Sequence, residues 1–220
     1  MAVITIAREL GSEGDRIADL VCQELGYRRM DKAMLSEIAR QAGVNVEAIL
    51  AMERSFATRS RLVSTDMLAL YSKQPSAFDP KMAVDDQTYG QIVRNTMMQY
   101  AQEGQVVIVG RGGQMVLRDW PAALHVHLYA GLEVRVQRLM QRFNIADAEA
   151  RRRISDSDEQ KRQAIRHMHK NAEWKDIRYY HLTINTGHIA PEVAVQIIVL
   201  AARGVKREAS IHVRRLTPDV

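Results

Sequence analysis

Cysteine is nearly absent from this chain. Cys22 stands alone in 220 residues, which excludes an internal disulfide framework and suits a reducing compartment. Nothing nearby forms a Cys/His pair with it, so Cys22 reads as a packed helix residue rather than a nucleophile. Long apolar runs are missing too: Val193–Val195 and Ile197–Ala202 are divided by Gln196, and both fall short of a membrane span. The first residues enter an apolar, strand-like run without a basic leader, so the expectation is a cytoplasmic protein with no membrane partner. Aromatic residues make up 5% of the chain, and no nucleic-acid recognition motif accompanies its basic residues. A nucleic-acid-binding role therefore ranks last among the alternatives.

What is present is a globular composition, with 46% hydrophobic and 26% charged residues, enough for one full core. Lys and Arg number 31 against 26 Asp and Glu, a net charge of +5 that favours an anionic partner without choosing which.

Along the chain, Val3–Ala7 reads as a strand and Gly11-Ser12-Glu13-Gly14 as a turn. Ile17, Leu20, Val21 and Leu25 then recur on one helix face, closed by Gly26. Residues 32–73 read as several helices and 73–80, with two prolines, as a loop. A helix over 86–103 ends at Gly104. Strands follow at Val106–Val109, Leu124–Tyr129 and Tyr180–Asn185, alternating with helices that carry Val134–Met140, Ala146–Lys170 and Pro191–Arg203. Strand–helix alternation implies βαβ units and a mainly parallel sheet, whose ligands gather at the carboxyl ends of the strands. Those ends carry Gly11–Gly14, Arg111 and the residues after Tyr129 and Asn185.

A glycine turn that opens a helix directs free backbone N–H groups and the positive helix end at an anion. Five segments in order extend this signal. Ile4-Thr5-Ile6-Ala7-Arg8-Glu9-Leu10-Gly11-Ser12-Glu13-Gly14 comes first, then Leu25–Lys32 with Asp31, then Val107–Gly112 with Gly110-Arg111. Glu159-x-x-Arg162 with Trp174 and Tyr180–Thr186 complete the set. Together they resemble the cytidylate kinase-like family of divergent P-loop nucleoside monophosphate kinases.

The resemblance implies an α/β, P-loop kinase-type three-layer fold with a parallel sheet. It further implies a single domain over 1–205, a helical acceptor-binding insertion near 32–103, an arginine-rich lid near 142–175, and a basic tail at 206–220. The implied reaction moves the γ-phosphoryl group of ATP, with Mg²⁺, to a nucleoside monophosphate, CMP or dCMP in the first instance. Gly11, Ser12 and Gly14, followed by Asp15 and Arg16, are the implied donor-phosphate residues. Gly14 occupies the lysine position of an ordinary phosphate loop, and Asp15 and Arg16 fill the next two, so Arg8 or Arg16 must replace the lysine's charge. Glu13 stands where the family commonly has glycine and sets a carboxylate beside the phosphates.

On the acceptor side the implied residues are Asp31, Lys32, Arg40 and Arg111. Glu37 stands where cytidylate kinases carry an acceptor arginine, and Gly112 where they carry an aspartate. Arg135, Arg138, Arg142, Arg151, Arg152 and Arg153 read as a mostly solvated helix face. Arg162 and Arg166, one turn apart, are the expected lid arginines that close on the transferring phosphate. The pairs His125/His127 and His167/His169 have no evident third metal ligand. The missing lysine keeps a second reading open, a catalytically degenerate kinase fold that binds nucleotide as a sensor or partner module.

Overall fold

The computed structural model describes residues 2–31, 86–169 and 172–205. Lys32, Arg40, the expected loop at 73–80, most of the expected insertion, and the basic tail lie outside the described residues.

Five strands form one sheet. They are β1 (Val3–Arg8), β2 (Arg28–Met30), β3 (Val106–Val109), β4 (Ala123–Tyr129) and β5 (Leu182–Asn185). The order is β2-β3-β1-β4-β5 and every pairing is parallel. The helices are α1 (Gly14–Leu25), α2 (Asp86–Glu103), α3 (Gly113–Val116), α4 (Leu132–Phe143), α5 (Asp147–Met168) and α6 (Pro191–Gly204). This is the parallel sheet that the strand–helix alternation implied, in the α/β, P-loop kinase-type architecture that the resemblance implied.

Strands covered on both faces are largely apolar, which is why β3 reads as a continuous hydrophobic run, while β1 and β4 interrupt theirs only with the buried Thr5, His125 and His127 before their ends. Ile4, Ile6, Val107, Leu124 and Val126 pack with Ile17 and Val21 of α1 and Val195 and Ile198 of α6. On the other face Val3, Val106 and Ile108 meet Val93 and Met97 of α2 and Leu117. A third cluster, Val136, Leu139, Ala150 and Ile154, joins α4 to α5. Cys22 is half-buried on α1, and burial pushes its thiol up to about 11, which keeps it protonated and unreactive.

One boundary and one added element differ from the sequence reading. The last strand begins at Leu182 rather than Tyr180, because Tyr180 closes a 3₁₀ turn over Ile177–Tyr179 through its N–H and donates its hydroxyl to the Trp174 carbonyl. The short α3 was not expected; it starts at Gly113, directly after three residues in left-handed conformation.

Candidate functional site

β1 ends at Arg8, and the chain then turns through Glu9–Glu13 into α1. Gly11 (φ 84) and Glu13 (φ 59) are both left-handed. A Cβ at residue 11 would lie 2.9 Å from Leu139 Cδ1 and 3.0 Å from Arg135 Cβ, so packing on α4 as well as backbone geometry requires glycine.

Three consecutive carbonyls of the turn are held from outside. Arg135 Nε donates to Leu10 O at 2.8 Å, Arg138 Nη1 to Gly11 O at 3.1 Å, and Thr186 Oγ1 to Ser12 O at 2.9 Å. In a trans peptide the following N–H points the opposite way, so these bonds turn the N–H groups of Gly11 and Glu13 to the other side. Helix α1 has no side-chain cap, and Ile17 N–H bonds Glu13 O. The N–H groups of Gly14, Asp15 and Arg16 therefore emerge at the helix end, as an anion seat requires. Ser12 departs from its expected role. Its N–H and its hydroxyl both donate to Glu9 O, at 3.2 and 2.8 Å, so Ser12 shapes the turn instead of offering its N–H to a phosphate.

Arg8 joins the first glycine turn to the second. A Cβ on Gly14 would fall 2.4 Å from Arg8 Cβ, and one on Gly110 would fall 2.6 Å from Arg8 Nη1. Gly14 thus stands at the lysine position because Arg8 already fills the space a side chain there would need. Arg8 pairs with Asp15 at 3.2 Å, and Arg29 pairs with Asp15 at 3.0 Å and with Asp31 at 3.2 Å. The chain Arg8–Asp15–Arg29–Asp31 brings a donor-side and an acceptor-side candidate into one network, with Arg29 the member that sequence reasoning missed. Arg111 sits in the second turn at φ 53 between Gly110 (φ 79) and Gly112 (φ 70). An arginine held left-handed between two glycines is the kind of backbone strain that clusters at ligand sites.

Other expected residues lie elsewhere. Arg16 reaches across to Glu192 of α6 at 2.6 Å and to Glu13 at 3.6 Å, which directs its charge away from Arg8. Arg162 pairs with Glu159 on its own helix, and Arg166 with Glu173; both arginines are more than 40% exposed. Arg151, Arg152 and Arg153 form the expected solvated face, paired with Glu133, Asp147 and Glu149. Arg135 does not belong to such a face. It is buried, with Glu9 at 2.9 Å and Asp158 at 3.1 Å, and Lys175 also binds both carboxylates, at 2.5 and 3.1 Å. This four-charge cluster ties the end of β1 to α4, α5 and the segment before β5. A guanidinium and a carboxylate far apart in sequence carry no local pattern, so only the fold exposes their pairing.

The histidines are packing elements of the sheet. His125 stacks on His181, and His127 stacks on Tyr180 and meets Trp174 edge-on. Thr5 Oγ1 lies 2.8 Å from His125 Nδ1, and His125 Nε2 faces Leu117 O at 3.2 Å. Burial is the main cause holding both His125 and His127 down at about 4, against an ordinary value of 6.5. Among the described residues no three His, Cys, Asp or Glu side chains converge as a dedicated metal site requires.

These two histidines make the fold acid-sensitive. The unfolded chain takes up their protons near pH 6.5 while the fold refuses them until about 4. Their stabilisation is complete above pH 6.5 and is lost as pH falls toward 4, on the order of 3 kcal/mol for each histidine. Urea denaturation at pH 7 and pH 5 is expected to show a lower midpoint at pH 5. Equal midpoints would mean that both imidazoles accept protons within the folded protein.

Among the described residues no helix is long and apolar enough to cross a membrane. The fold resembles a crystal structure of an uncharacterized protein from Eubacterium ventriosum, with a TM-score of 0.66 and 18% identity. That match covers 92% of this chain and 99% of the other. A gluconokinase from Sinorhizobium meliloti (TM-score 0.48, 10% identity, 92% of each chain) is more distant. So is a shikimate kinase from Acinetobacter baumannii (0.46, 13%, 94% of this chain and 96% of that one). In sequence, 110 residues are 31% identical to a uronate isomerase from Corynebacterium glutamicum; the stretch takes in 49% of this chain and spans only 20% of that protein. The model of the cytidylate kinase-like family matches residues 3–188, and the chain belongs to that family.

Proposed function

We propose that this protein transfers the γ-phosphoryl group of ATP to a nucleoside monophosphate, with CMP or dCMP the first acceptors to try. The observation that carries the reading is Arg8, whose side chain lies against both glycine turns. Donor phosphates bound at the α1 end and an acceptor phosphate at the Arg111 turn would then meet beside one guanidinium. Phosphoryl transfer needs little more than this, since positioning and charge neutralisation do most of the work.

In this reading the N–H groups of Gly11 and Gly14–Arg16 hold the donor phosphates. Arg8 supplies the charge that a phosphate-loop lysine supplies elsewhere, and Asp31 and Arg111 orient the acceptor. Mg²⁺ takes one or two carboxylates and fills its remaining positions with phosphates and water. The acids at this turn are Asp15, paired with Arg8 and Arg29, and Glu13, 3.6 Å from Arg16, and either would exchange an arginine for the ion. Bound there, it would neutralise charge on the donor oxygens.

ADP release from ATP and Mg²⁺ across a panel of nucleoside monophosphates tests the proposal. Turnover with a cytidine monophosphate is the expected result. Nucleotide binding without turnover on the whole panel would transfer the reading to a nucleotide-binding module, consistent with the absent lysine. Arg111→Ala is expected to weaken monophosphate binding about 10- to 150-fold and ATP binding much less. An equal loss for both nucleotides would take Arg111 out of the acceptor site.

A further inference from the structure

We infer that Lys161 is a phosphate-binding residue, reaching the donor polyphosphate from α5 to take over, beside Arg8, the role of the absent phosphate-loop lysine. The inference rests on the phosphoryl-transfer reading and names a residue that reading does not use.

The argument starts from the faces of α5. Asp158 and Lys161 are three residues apart and Ile165 four further on, so all three lie on one side of the helix. Two of them are fixed against the core. Asp158 bonds Arg135, and the buried Ile165 lies against the second glycine turn, 3.0 Å from where a Cβ on Gly112 would be. Lys161 lies between them and faces the same way, whereas Arg162 is rotated away to Glu159.

Its surroundings carry cations, and the acids that act on it, Asp158 and Glu9, do so from beyond ion-pair distance. Lys161 Nζ donates to Ser157 Oγ at 3.1 Å and lies 5.6 Å from the centre of the Trp174 ring, a neutral hydroxyl and an aromatic face. Among the described residues no carboxylate forms an ion pair with it. The acids that act on it are already engaged, since Glu9 and Asp158 bind both Arg135 and Lys175. Asp158, on the same face of α5, bonds Arg135, which also holds the Leu10 carbonyl of the glycine turn. This face therefore looks toward that turn, and the Arg8 charge is among those that act on Lys161. An amine placed beside a second cation, and denied a carboxylate, has the environment of an anion site awaiting its anion.

A second observation points to the same place. His127 Nε2 is buried without a hydrogen-bond partner, on a side chain that feels the charges of Glu9, Lys175, Lys161 and Asp158. Buried polar atoms are almost always satisfied, and one left open on a ring that meets Trp174, over which Lys161 and Lys175 both lie, fits a site whose polar occupant arrives from solution.

Burial first, and the Arg8 charge second, press the Lys161 amine down to about 8; Arg135 adds to this, and Asp158 and Glu9 oppose it. His127, held neutral, and Lys175 complete the groups around it. The amine is therefore charged at pH 7 and mostly neutral at pH 9, and an anion that needs the charged form binds in proportion to it.

The test measures binding of Mg²⁺-ATP and of inorganic tripolyphosphate by calorimetry at pH 7 and pH 9, for the parent, Lys161→Met and Lys161→Arg. The parent is expected to lose about tenfold in affinity for both probes between the two pH values. Lys161→Met is expected to bind at least tenfold more weakly at pH 7 and to show no such decline. Lys161→Arg should keep binding while its pH profile flattens, because a guanidinium stays charged throughout. Circular dichroism checks the fold of each variant, and if Lys161→Met does not fold, the flattened profile of Lys161→Arg decides alone. Parent-like affinity and parent-like pH dependence in the variants would overturn the role of Lys161 while leaving the proposed function intact. A parent that binds neither probe would overturn both.

Discussion

Arg135→Met is expected to lower the folding stability of this protein by about 3–5 kcal/mol, the usual cost of removing one partner from a buried ion cluster. Arg135 is 4% exposed and touches three groups at once. It bonds Glu9 at 2.9 Å, Asp158 through two nitrogens at 3.1 Å, and the Leu10 carbonyl at 2.8 Å. Methionine fills comparable volume but leaves the buried Glu9 carboxylate with Lys175 and one distant backbone N–H, and it frees a carbonyl of the phosphate turn. The paired replacement Glu9→Gln with Arg135→Met should recover part of the loss, because no unpaired charge is then buried. Urea unfolding of the three variants measures this. A loss below about 1 kcal/mol in Arg135→Met would show that solvent reaches the cluster.

The same cluster sets a direction with pH. Burial raises the Asp158 carboxyl, but hydrogen bonds and charge from Arg135 and Lys175 outweigh it and hold the group below its ordinary 3.8. A lowered carboxyl stabilises the fold fully above that value and less as pH falls below it. The gap between parent and Arg135→Met should accordingly narrow under acid.

Arg8→Ala is the second large expected effect: about 10³-fold or more off turnover, accompanied by weaker ATP binding. The position of Arg8 argues for both losses. Its stem occupies the space beside Gly14 and its guanidinium the space beside Gly110, so the truncated variant opens both turns at once. It also removes one of the two arginine partners of Asp15 and leaves that carboxylate, at the start of α1, with Arg29 alone. Arg162→Ala, on α5 where the arginine pairs with Glu159, is expected to change turnover much less. Steady-state ADP release and ATP affinity for the two variants make the comparison. Near-parent turnover in Arg8→Ala, or a greater loss in Arg162→Ala, would return the catalytic charge to the lid arginines.

Much of the frame was open to reading before any coordinates. Val106–Val109 is apolar at all four positions because both faces of β3 are covered. Ile17, Val21 and Leu25 repeat at helical spacing because α1 lies on the sheet. The charged residues resisted such reading. Arg135 and Arg162 both sit on amphipathic helices, yet one is buried in an ion cluster and the other pairs at the surface. Lys161 gave no signal beside its arginine neighbours, since its distinction lies in which way α5 is turned.

The sequence by itself determined the strand–turn–helix order, the glycines of both turns and the absence of lysine at position 14. The order follows from the two hydrophobic periods and the glycines from the turns they make, although what crowds Gly11 and Gly14 is α4 and Arg8. Only the tertiary structure decided which charges meet. Glu9 and Lys175 are 166 residues apart and Thr186 reaches Ser12 across 174. A charge carries no periodicity that marks its partner, so the way α4 and the turn after β5 hold the first glycine turn, and α5 closes the ion cluster beside it, becomes visible only once the sheet has brought them together.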